Sequence, residues 1–318
     1  MHHSARRHHL LAVAVVASLG ATATATSYDS FFPAVTKQTC SAKLNYTDDS
    51  PYSKNVADLL SVLTSPTSAI DNWWFRRATV GSASGLAISA SGLAMCFADS
   101  DASSCRSCFA MVTSNVSGEV FLPDCDHSRN VSLVSSDGCV IRYADAPFFG
   151  TSVSSGAGEL VLRFPGGDFD GADAMRDARR ALLGQLAEKA GGEAMRFATG
   201  SQGFMVRGIW KVMYGMAQCT RDLPASECTG CLVDLLAVMY RDVSVTNSTE
   251  ASVMGFSCYL RYQMDEPIHI AGMALPPSPP PPAATHPTGS ASPSTVGKMT
   301  TVLIAAAAVT LLITAIGV

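Results

Sequence analysis

Histidine, charge and long apolar runs are all scarce in this chain of 318 residues. Four of the seven histidines lie within the first nine residues, which leaves only His127, His269 and His286 in the body of the chain. No nucleophile recurs beside a base, so the sequence offers no catalytic constellation. Charged residues make up 15% of the chain and form no basic stripe, which argues against nucleic acid as a partner. We therefore expect a protein that is not an enzyme and needs no cofactor.

The apolar runs are confined to the two ends of the chain. At the start, Arg6 and Arg7 precede about a dozen apolar residues and the small-residue stretch "ATATAT". This order is typical of a secretory signal peptide, and the run is too short to span a bilayer. The sequence therefore predicts an exported chain that loses a signal peptide at residues 1–26. Losing the two arginines moves the formal charge from −4 to about −6.

The other apolar run covers residues 299–318, which contain neither charge nor proline. As a helix it would reach about 30 Å, the thickness of one bilayer core. Two interpretations remain open: a transmembrane helix, or a signal for a glycosylphosphatidylinositol anchor that follows the small residues Gly289 to Ser292. Either gives a single C-terminal membrane anchor. Residues 275–298, rich in proline and serine, predict an extended stalk before it.

Four Asn-x-Ser/Thr sequons indicate N-glycosylation in an exported chain. The acceptor residues are Asn45, Asn115, Asn130 and Asn247.

Between the two ends, one cysteine motif occurs twice. "SGLAMCFADSDASSCRSC" begins at Ser91, and "YGMAQCTRDLPASECTGC" begins at Tyr214. Both contain the spacing C-x8-C-x2-C, and each is followed by a C-x-x-R-Y segment, "CVIRY" or "CYLRY". The pattern indicates a tandem duplication, with domains at residues 28–150 and 155–268. In the repeated R-Y pairs we expect Arg142 and Arg261 to form a structural ion pair or a strand-end hydrogen bond.

Each copy reads as a mixture of helix and strand. A helix is expected to start at Ser53, and its counterpart in the second copy is expected to end before Gly191 and Gly192. A second helix is expected to follow Ser103 in the first copy and Ser226 in the second. The segments containing "CVIRY" and "CYLRY" alternate as strands do. We therefore predict an α+β fold with two tandem domains, each of two helices packed on an antiparallel sheet and stapled by disulfides. The apolar helix faces are predicted at Leu59, Leu60 and Leu63, and at Met175, Leu182, Leu183 and Leu186.

The ten cysteines admit three interpretations. A zinc site needs two close pairs of ligands, which the non-repeating histidines do not supply. A thioredoxin-like redox site would use a C-x-x-C cysteine such as Cys105, but a third cysteine recurs upstream at fixed spacing. Structural disulfides fit an even number of cysteines in an oxidising compartment. The second copy lacks counterparts of both Cys40 and Cys125, and losing two together indicates the loss of one bridge.

The doubled motif resembles the ginkbilobin-homologous (Gnk2-homologous, or stress-antifungal) domain of plant cysteine-rich repeat secretory proteins, over about residues 28 to 268. Two such domains, a short linker and one apolar segment are similar, more narrowly, to the plasmodesmata-located proteins. The resemblance implies two helices over an antiparallel sheet in each domain, and a specific pairing of the cysteines. The implied bridges are Cys40–Cys125, Cys96–Cys105, Cys108–Cys139, Cys219–Cys228 and Cys231–Cys258.

The ginkbilobin branch of the family binds mannose through an asparagine, an arginine and a glutamate. The corresponding positions in the first copy are Ser41, Leu133 and Ala144. The second copy lacks the first cysteine, so only two positions can be compared, and they hold Ser252 and Gln263. Because none of these residues matches the pattern, that mannose site is not predicted here.

The resemblance implies a non-enzymatic, membrane-anchored interaction module on the extracellular face of the plasma membrane, at plasmodesmata, that modulates cell-to-cell trafficking. Its partner would be an extracellular protein or a cell-wall glycan. One alternative is a secreted or lipid-anchored defence protein that binds carbohydrate or acts against fungi. A more distant alternative is a thiol-disulfide oxidoreductase.

Overall fold

A computed structural model describes residues 36–41, 45–65, 75–81, 89–116, 125, 127–153, 159–163, 172–242, 245 and 248–271. The predicted signal peptide, stalk and C-terminal apolar segment lie outside these ranges, as does Asn247. Within the described ranges, no helix combines the length and the apolar character needed to cross a membrane. All of these ranges belong to one compact unit of the chain.

The first copy consists of two helices and one antiparallel sheet with the strand order β1-β4-β5-β3-β2. Its strands are β1 (Thr36–Cys40), β2 (Phe75–Val80), β3 (Ala90–Cys96), β4 (Val131–Ser135) and β5 (Cys139–Ala144). Its helices are α1 (Pro51–Thr64) and α2 (Ala102–Val116).

The second copy repeats this topology, with a five-stranded sheet in the order β6-β9-β10-β8-β7. Its strands are β6 (Leu160–Arg163), β7 (Phe197–Val206), β8 (Ile209–Cys219), β9 (Glu250–Met254) and β10 (Cys258–Met264). Its helices are α3 (Ala172–Gly192) and α4 (Ala225–Arg241). The predicted class, two domains of two helices on an antiparallel sheet with disulfides, is confirmed for the described residues.

The helix ends differ from the sequence prediction. Helix α1 is capped by Ser50, whose side chain accepts a hydrogen bond from the Ser53 backbone at 3.1 Å, so Ser53 lies inside the helix. Helix α2 is capped by Asp101, and Ser103 donates to it from the first turn. Both predictions placed the cap a few residues late, because several hydrogen-bonding side chains compete in each segment.

In the second copy, α4 follows Pro224 without a side-chain cap, and Ser226 is already helical. Helix α3 includes Gly191 and Gly192, which were expected beyond its end. The apolar stripe itself is as predicted, since Met175, Leu182, Leu183 and Leu186 are all buried.

Glycine allows the first helix of each copy, α1 or α3, to approach its sheet closely. A Cβ atom on Gly92 would lie 2.9 Å from a methyl group of Leu59, and one on Gly215 would lie 2.9 Å from a methyl group of Leu186. Both distances are too short for a side chain, so the glycine that recurs in the cysteine motif serves helix–strand packing.

The two copies pack sheet against sheet. Along β3, Ala94 and Cys96 face the helices, whereas Met95 between them faces the second copy. A separate apolar core therefore lies between the sheets, and the layers run helices, sheet, sheet, helices. Residues of this core include Met95, Phe97, Val134, Val140, Phe197, Tyr214, Met216, Met254, Phe256 and Tyr259.

Candidate functional site

All ten cysteines are paired in disulfides. The pairs are Cys40–Cys125, Cys96–Cys105, Cys108–Cys139, Cys219–Cys228 and Cys231–Cys258, the same five that the family resemblance implies. Their Cα atoms lie 5.5 to 6.1 Å apart, which is the usual range for disulfides.

The geometry explains the spacing of the motif. Cys96 and Cys139 are direct cross-strand partners at the ends of β3 and β5. Cys105 and Cys108 are three residues apart on α2, so they lie on the same face of the helix and each reaches one of the two strand ends. The second copy repeats this arrangement through the paired strand ends Cys219 and Cys258.

This arrangement separates the two cysteines of each C-x-x-C segment. In the first copy, Cys105 is bonded to Cys96 and Cys108 is bonded to Cys139, and all four are buried. A thioredoxin-like centre requires two cysteines that can bond to each other, one of which the substrate can reach. No group of three metal-ligating side chains is present in the described part of the chain.

The arginines of the repeated R-Y pairs lie at the interface between the copies. Arg261 donates to Asp99 of the first copy at 2.7 Å and to Glu250 of its own copy at 2.6 Å. Tyr259 also donates to Asp99, at 2.9 Å. Burial and the neighbouring Asp99 carboxylate raise the pKa of Tyr259 well above its usual value. Burial opposes the charge of Arg261, but Tyr259, Asp99 and Glu250 raise its pKa overall.

Arg142, the counterpart in the first copy, has different surroundings. Its guanidinium donates to Ser257 of the second copy at 2.9 Å and lies 4.4 Å from the ring centre of Phe148. Its Nε has no hydrogen-bond partner. Burial lowers the pKa of Arg142 to about 10, and the charge of Asp222 works against that shift. The side chain therefore remains a cation at neutral pH.

Three further groups join the copies. The Ala98 backbone donates to Gln218 at 2.9 Å, and Ser152 donates to Glu227 through both its backbone and its hydroxyl. The Gly150 backbone donates to Asp222 at 3.0 Å. The sequence analysis did not predict these partners. One indication was present, because an aspartate, Asp99 or Asp222, lies three residues after the first cysteine of each motif.

A cleft of about 220 Å³ opens beside Arg142, on the face of the first sheet that is turned away from its helices. Two of the three positions that correspond to the family's mannose site, Ser41 and Ala144, line this cleft. The third, Leu133, is buried in the core under the helices, on the opposite face of β4. The three positions therefore do not converge on one pocket here. The lining residues are Thr39, Cys40, Ser41, Asn130, Val131, Ser132, Arg142, Tyr143, Ala144 and Phe148.

The predicted glycosylation positions have different settings. Asn45 is exposed, and Asn130 is half-buried at the cleft with its side-chain oxygen accepting from the Asp145 backbone at 3.2 Å. Asn115 lies in α2.

Comparisons with known proteins identify relatives of several architectures. Plasmodesmata-located protein 6 of Arabidopsis thaliana is 28% identical over 80% of this chain and 77% of its own length. The antimicrobial ginkbilobin-2-like protein of Castanea crenata is 24% identical over 71% of this chain and 85% of its own length. Cysteine-rich receptor-like protein kinase 25 of Arabidopsis thaliana is 27% identical, but this chain spans only 34% of that protein.

The chain thus spans about a third of the length of the receptor-like kinases that it matches. Among solved structures, the tandem DUF26 ectodomain of the Arabidopsis thaliana receptor-like protein PDLP8 superposes with a TM-score of 0.50. That match covers 71% of this chain and 95% of the other, at 23% identity, and it shows a shared fold.

A family model described as salt stress response/antifungal matches residues 39–146 and 168–265, one range for each bridged copy. These ranges together exceed half of the chain, and the chain therefore belongs to the salt stress response/antifungal family, with its domain present in tandem.

Proposed function

We propose that this protein is a non-enzymatic, membrane-anchored extracellular interaction module that acts at plasmodesmata and modulates cell-to-cell trafficking. The observation that carries the proposal is the union of two bridged domains through a buried apolar and hydrogen-bonded interface. A rigid double domain of this kind suits contact with a partner. The similarity to plasmodesmata-located protein 6 over most of both chains supports the location.

The pairing of the cysteines and the contacts of the arginines favour a binding function over a catalytic one. Every cysteine is held in a disulfide, and the buried Arg142 and the half-buried Arg261 hold the two copies together. A reductase would need a free thiol that the substrate can reach. An insulin-reduction assay that found turnover, lost on Cys105→Ser, would revive the oxidoreductase alternative.

The proposal of a membrane anchor is based on the sequence of the two chain ends. A signal peptide at residues 1–26 delivers the chain to the exterior, and residues 299–318 hold it at the plasma membrane through the stalk. The partner is an extracellular protein or a cell-wall glycan, met by the paired domains at the distance that the stalk allows.

Imaging of the full chain tests the location. A fluorescent protein inserted between the signal peptide and Tyr28 should give puncta at wall junctions and reduce the spread of a mobile dye between cells. The matched control is the same fusion without residues 299–318, which should be released into the wall. Uniform wall labelling by the complete fusion would contradict a plasmodesmal role, and release by a phosphatidylinositol-specific phospholipase would identify a lipid anchor.

The cleft beside Arg142 favours a second candidate, a secreted or lipid-anchored carbohydrate-binding defence protein. The antimicrobial ginkbilobin-2-like relative is consistent with this role. Inhibition of fungal growth by the purified protein, together with uniform secretion of the fusion, would support it over the plasmodesmal proposal.

A further inference from the structure

The two copies place the same arginine against different neighbours. Arg142 and Arg261 each pair with a serine on the adjacent strand. The residue two positions before that serine is Asn130 in the first copy and Glu250 in the second. The shared register therefore makes Asn130 the structural counterpart of Glu250.

The second copy shows which side chains accept hydrogen bonds from this arginine. Arg261 donates from its Nη2 to the Glu250 carboxylate at 2.6 Å and to the Gln263 side-chain oxygen at 2.9 Å. In the first copy the counterparts of these two side chains are Asn130 and Ala144, which are shorter and carry no charge. Both line the cleft, so the space that the carboxylate fills in one copy is open in the other.

Arg142 has fewer partners than its counterpart. The Arg142 side chain is only 7% exposed and makes one hydrogen bond, to Ser257, whereas Arg261 donates to Asp99, Glu250 and Gln263. Asp222, the counterpart of Asp99, attracts Arg142 but forms no ion pair with it in the described part of the chain. A buried cation without a paired anion is costly, so an added carboxylate has a favourable place to bind.

The rest of the cleft is suited to a sugar. Its lining includes three residues that carry a hydroxyl, Thr39, Ser41 and Ser132, together with Asn130 and the aromatic Phe148. Its volume is smaller than the roughly 300–1,000 Å³ of pockets for drug-sized ligands, which suits one small ring. An acidic peptide would present a carboxylate but would leave these hydroxyls without matching groups.

We propose that this cleft binds a carboxylate-bearing sugar, of the hexuronate class, with Arg142 holding the carboxylate and the surrounding serine and threonine hydroxyls holding the ring hydroxyls. Asn130 is also a predicted glycosylation acceptor, and a glycan on its side chain would begin at the rim of the cleft. Modification of Asn130 and binding of the sugar therefore exclude each other.

Two variants at one position test the proposal in the full chain, purified in detergent. Asn130→Gln and Asn130→Glu both remove the sequon, but only the second supplies the carboxylate that Glu250 provides in the other copy. Titration with D-glucuronate and D-galacturonate should show saturable binding to N130Q, at least tenfold tighter than with D-glucose or D-galactose. N130E should bind the uronates at least tenfold more weakly than N130Q, because its own carboxylate occupies Arg142.

A cooperative melting transition in both variants shows that each is folded, and a higher midpoint for N130E supports the internal ion pair. Equal affinity of N130Q for uronates and neutral hexoses would overturn the role of Arg142. Equal uronate binding by the two variants would overturn the cleft as the site. Tighter binding of a poly-glutamate peptide than of either uronate would assign the cleft to protein instead of sugar. None of these outcomes depends on where the protein resides in the cell.

Discussion

At the residue scale, one repeated arginine has two different roles. Arg261 lies in a network with Asp99 and Glu250 that joins the copies, whereas Arg142 donates to Ser257 and faces the cleft. The sequence indicated that both arginines are structural. It did not show which carboxylates pair with Arg261, because Asp99 is 162 residues away.

Asp99→Asn should lower the free energy of unfolding by about 2 kcal/mol, because it removes one of the two carboxylates from the half-buried ion-pair network of Arg261. The matched change at the equivalent position, Asp222→Asn, should cost about 1 kcal/mol or less, because Asp222 forms no ion pair with Arg142. Denaturant unfolding of both variants measures the difference. Equal losses would show that Arg261 does not depend on Asp99.

Arg179 is a second arginine with a structural role, and its burial is not expected from the sequence. It is 1% exposed inside α3, and it donates to the Val245 carbonyl at 3.0 Å and to the Tyr262 hydroxyl at 2.9 Å. Its guanidinium also packs over the rings of Tyr240 and Tyr262. The buried cation thus ties the helix to β10 and to the segment before β9.

Arg179→Met should destabilise the protein by about 2 kcal/mol, because it leaves buried polar partners unsatisfied. Arg176→Met, three residues earlier on the exposed side of the same helix, serves as the control and should change stability by less than about 0.5 kcal/mol. Thermal melting of the two variants distinguishes them. Similar midpoints would show that the Arg179 hydrogen bonds contribute no net stability.

At the element scale, the second copy replaces a disulfide with hydrogen bonds. The Ser128 carbonyl accepts from Tyr143 and the Ser248 carbonyl accepts from Tyr262, so these serines are equivalent. Counting three residues back from each serine makes Val245 the counterpart of Cys125. In the second copy, Arg179 donates a hydrogen bond to the Val245 carbonyl. The equivalent position of the first copy, Cys125, is held by the disulfide to Cys40.

The missing bridge can be restored. Arg163 pairs with Ala251 as Cys40 pairs with Val131, so cysteines at Arg163 and Val245 should form a disulfide. A loop of about 80 residues predicts up to about 4 kcal/mol of added stability. Melting with and without reductant measures the gain, and each single cysteine variant is a control. Two free thiols in the double variant would contradict the structural equivalence.

Helix α2 depends on its cap. Hydrogen bonds from the Ser103 side chain and the Ser104 backbone lower the pKa of Asp101. A depressed carboxylate pKa contributes stability above the pKa of the unfolded state, about 4, and this contribution is lost as the pH falls through the folded value. Asp101→Ala should therefore cost about 1 kcal/mol at pH 7 and clearly less near pH 3. Unfolding curves at both pH values test this, and a cost independent of pH would exclude the charged cap.

At the scale of the whole molecule, the core between the sheets makes the two copies one folding unit. Phe97 is buried in this core, with its ring centre 4.4 Å from that of Tyr259. Removing an aromatic ring from such a position leaves a cavity between the domains.

Phe97→Ala should lower stability by about 3–5 kcal/mol and split a single calorimetric transition into two, because it loosens the contact between domains that are each still bridged. Val62→Ala, at an exposed position on α1, should leave the transition single and little shifted. Two transitions already present in the unchanged protein would contradict the coupling of the copies.

The duplication, the fold class and the two apolar helix faces were determined by the sequence alone. They depend on short-range patterns: a repeated spacing, the 3.6-residue helical period at Leu182, Leu183 and Leu186, and strand alternation around "CVIRY". Such patterns can be recognised in the sequence because each follows from the geometry of a single helix, strand or turn.

Only the tertiary structure decided how the copies pack, which carboxylates Arg261 meets, why Arg179 is buried, and that Leu133 faces away from Ser41 and Ala144. These features depend on groups far apart in the chain, at a separation of 66 residues for Arg179 and Val245 and of 162 for Arg261 and Asp99, or on which face of a strand meets which partner. No local pattern in the chain records such a choice, because it is made by packing when the two sheets come together.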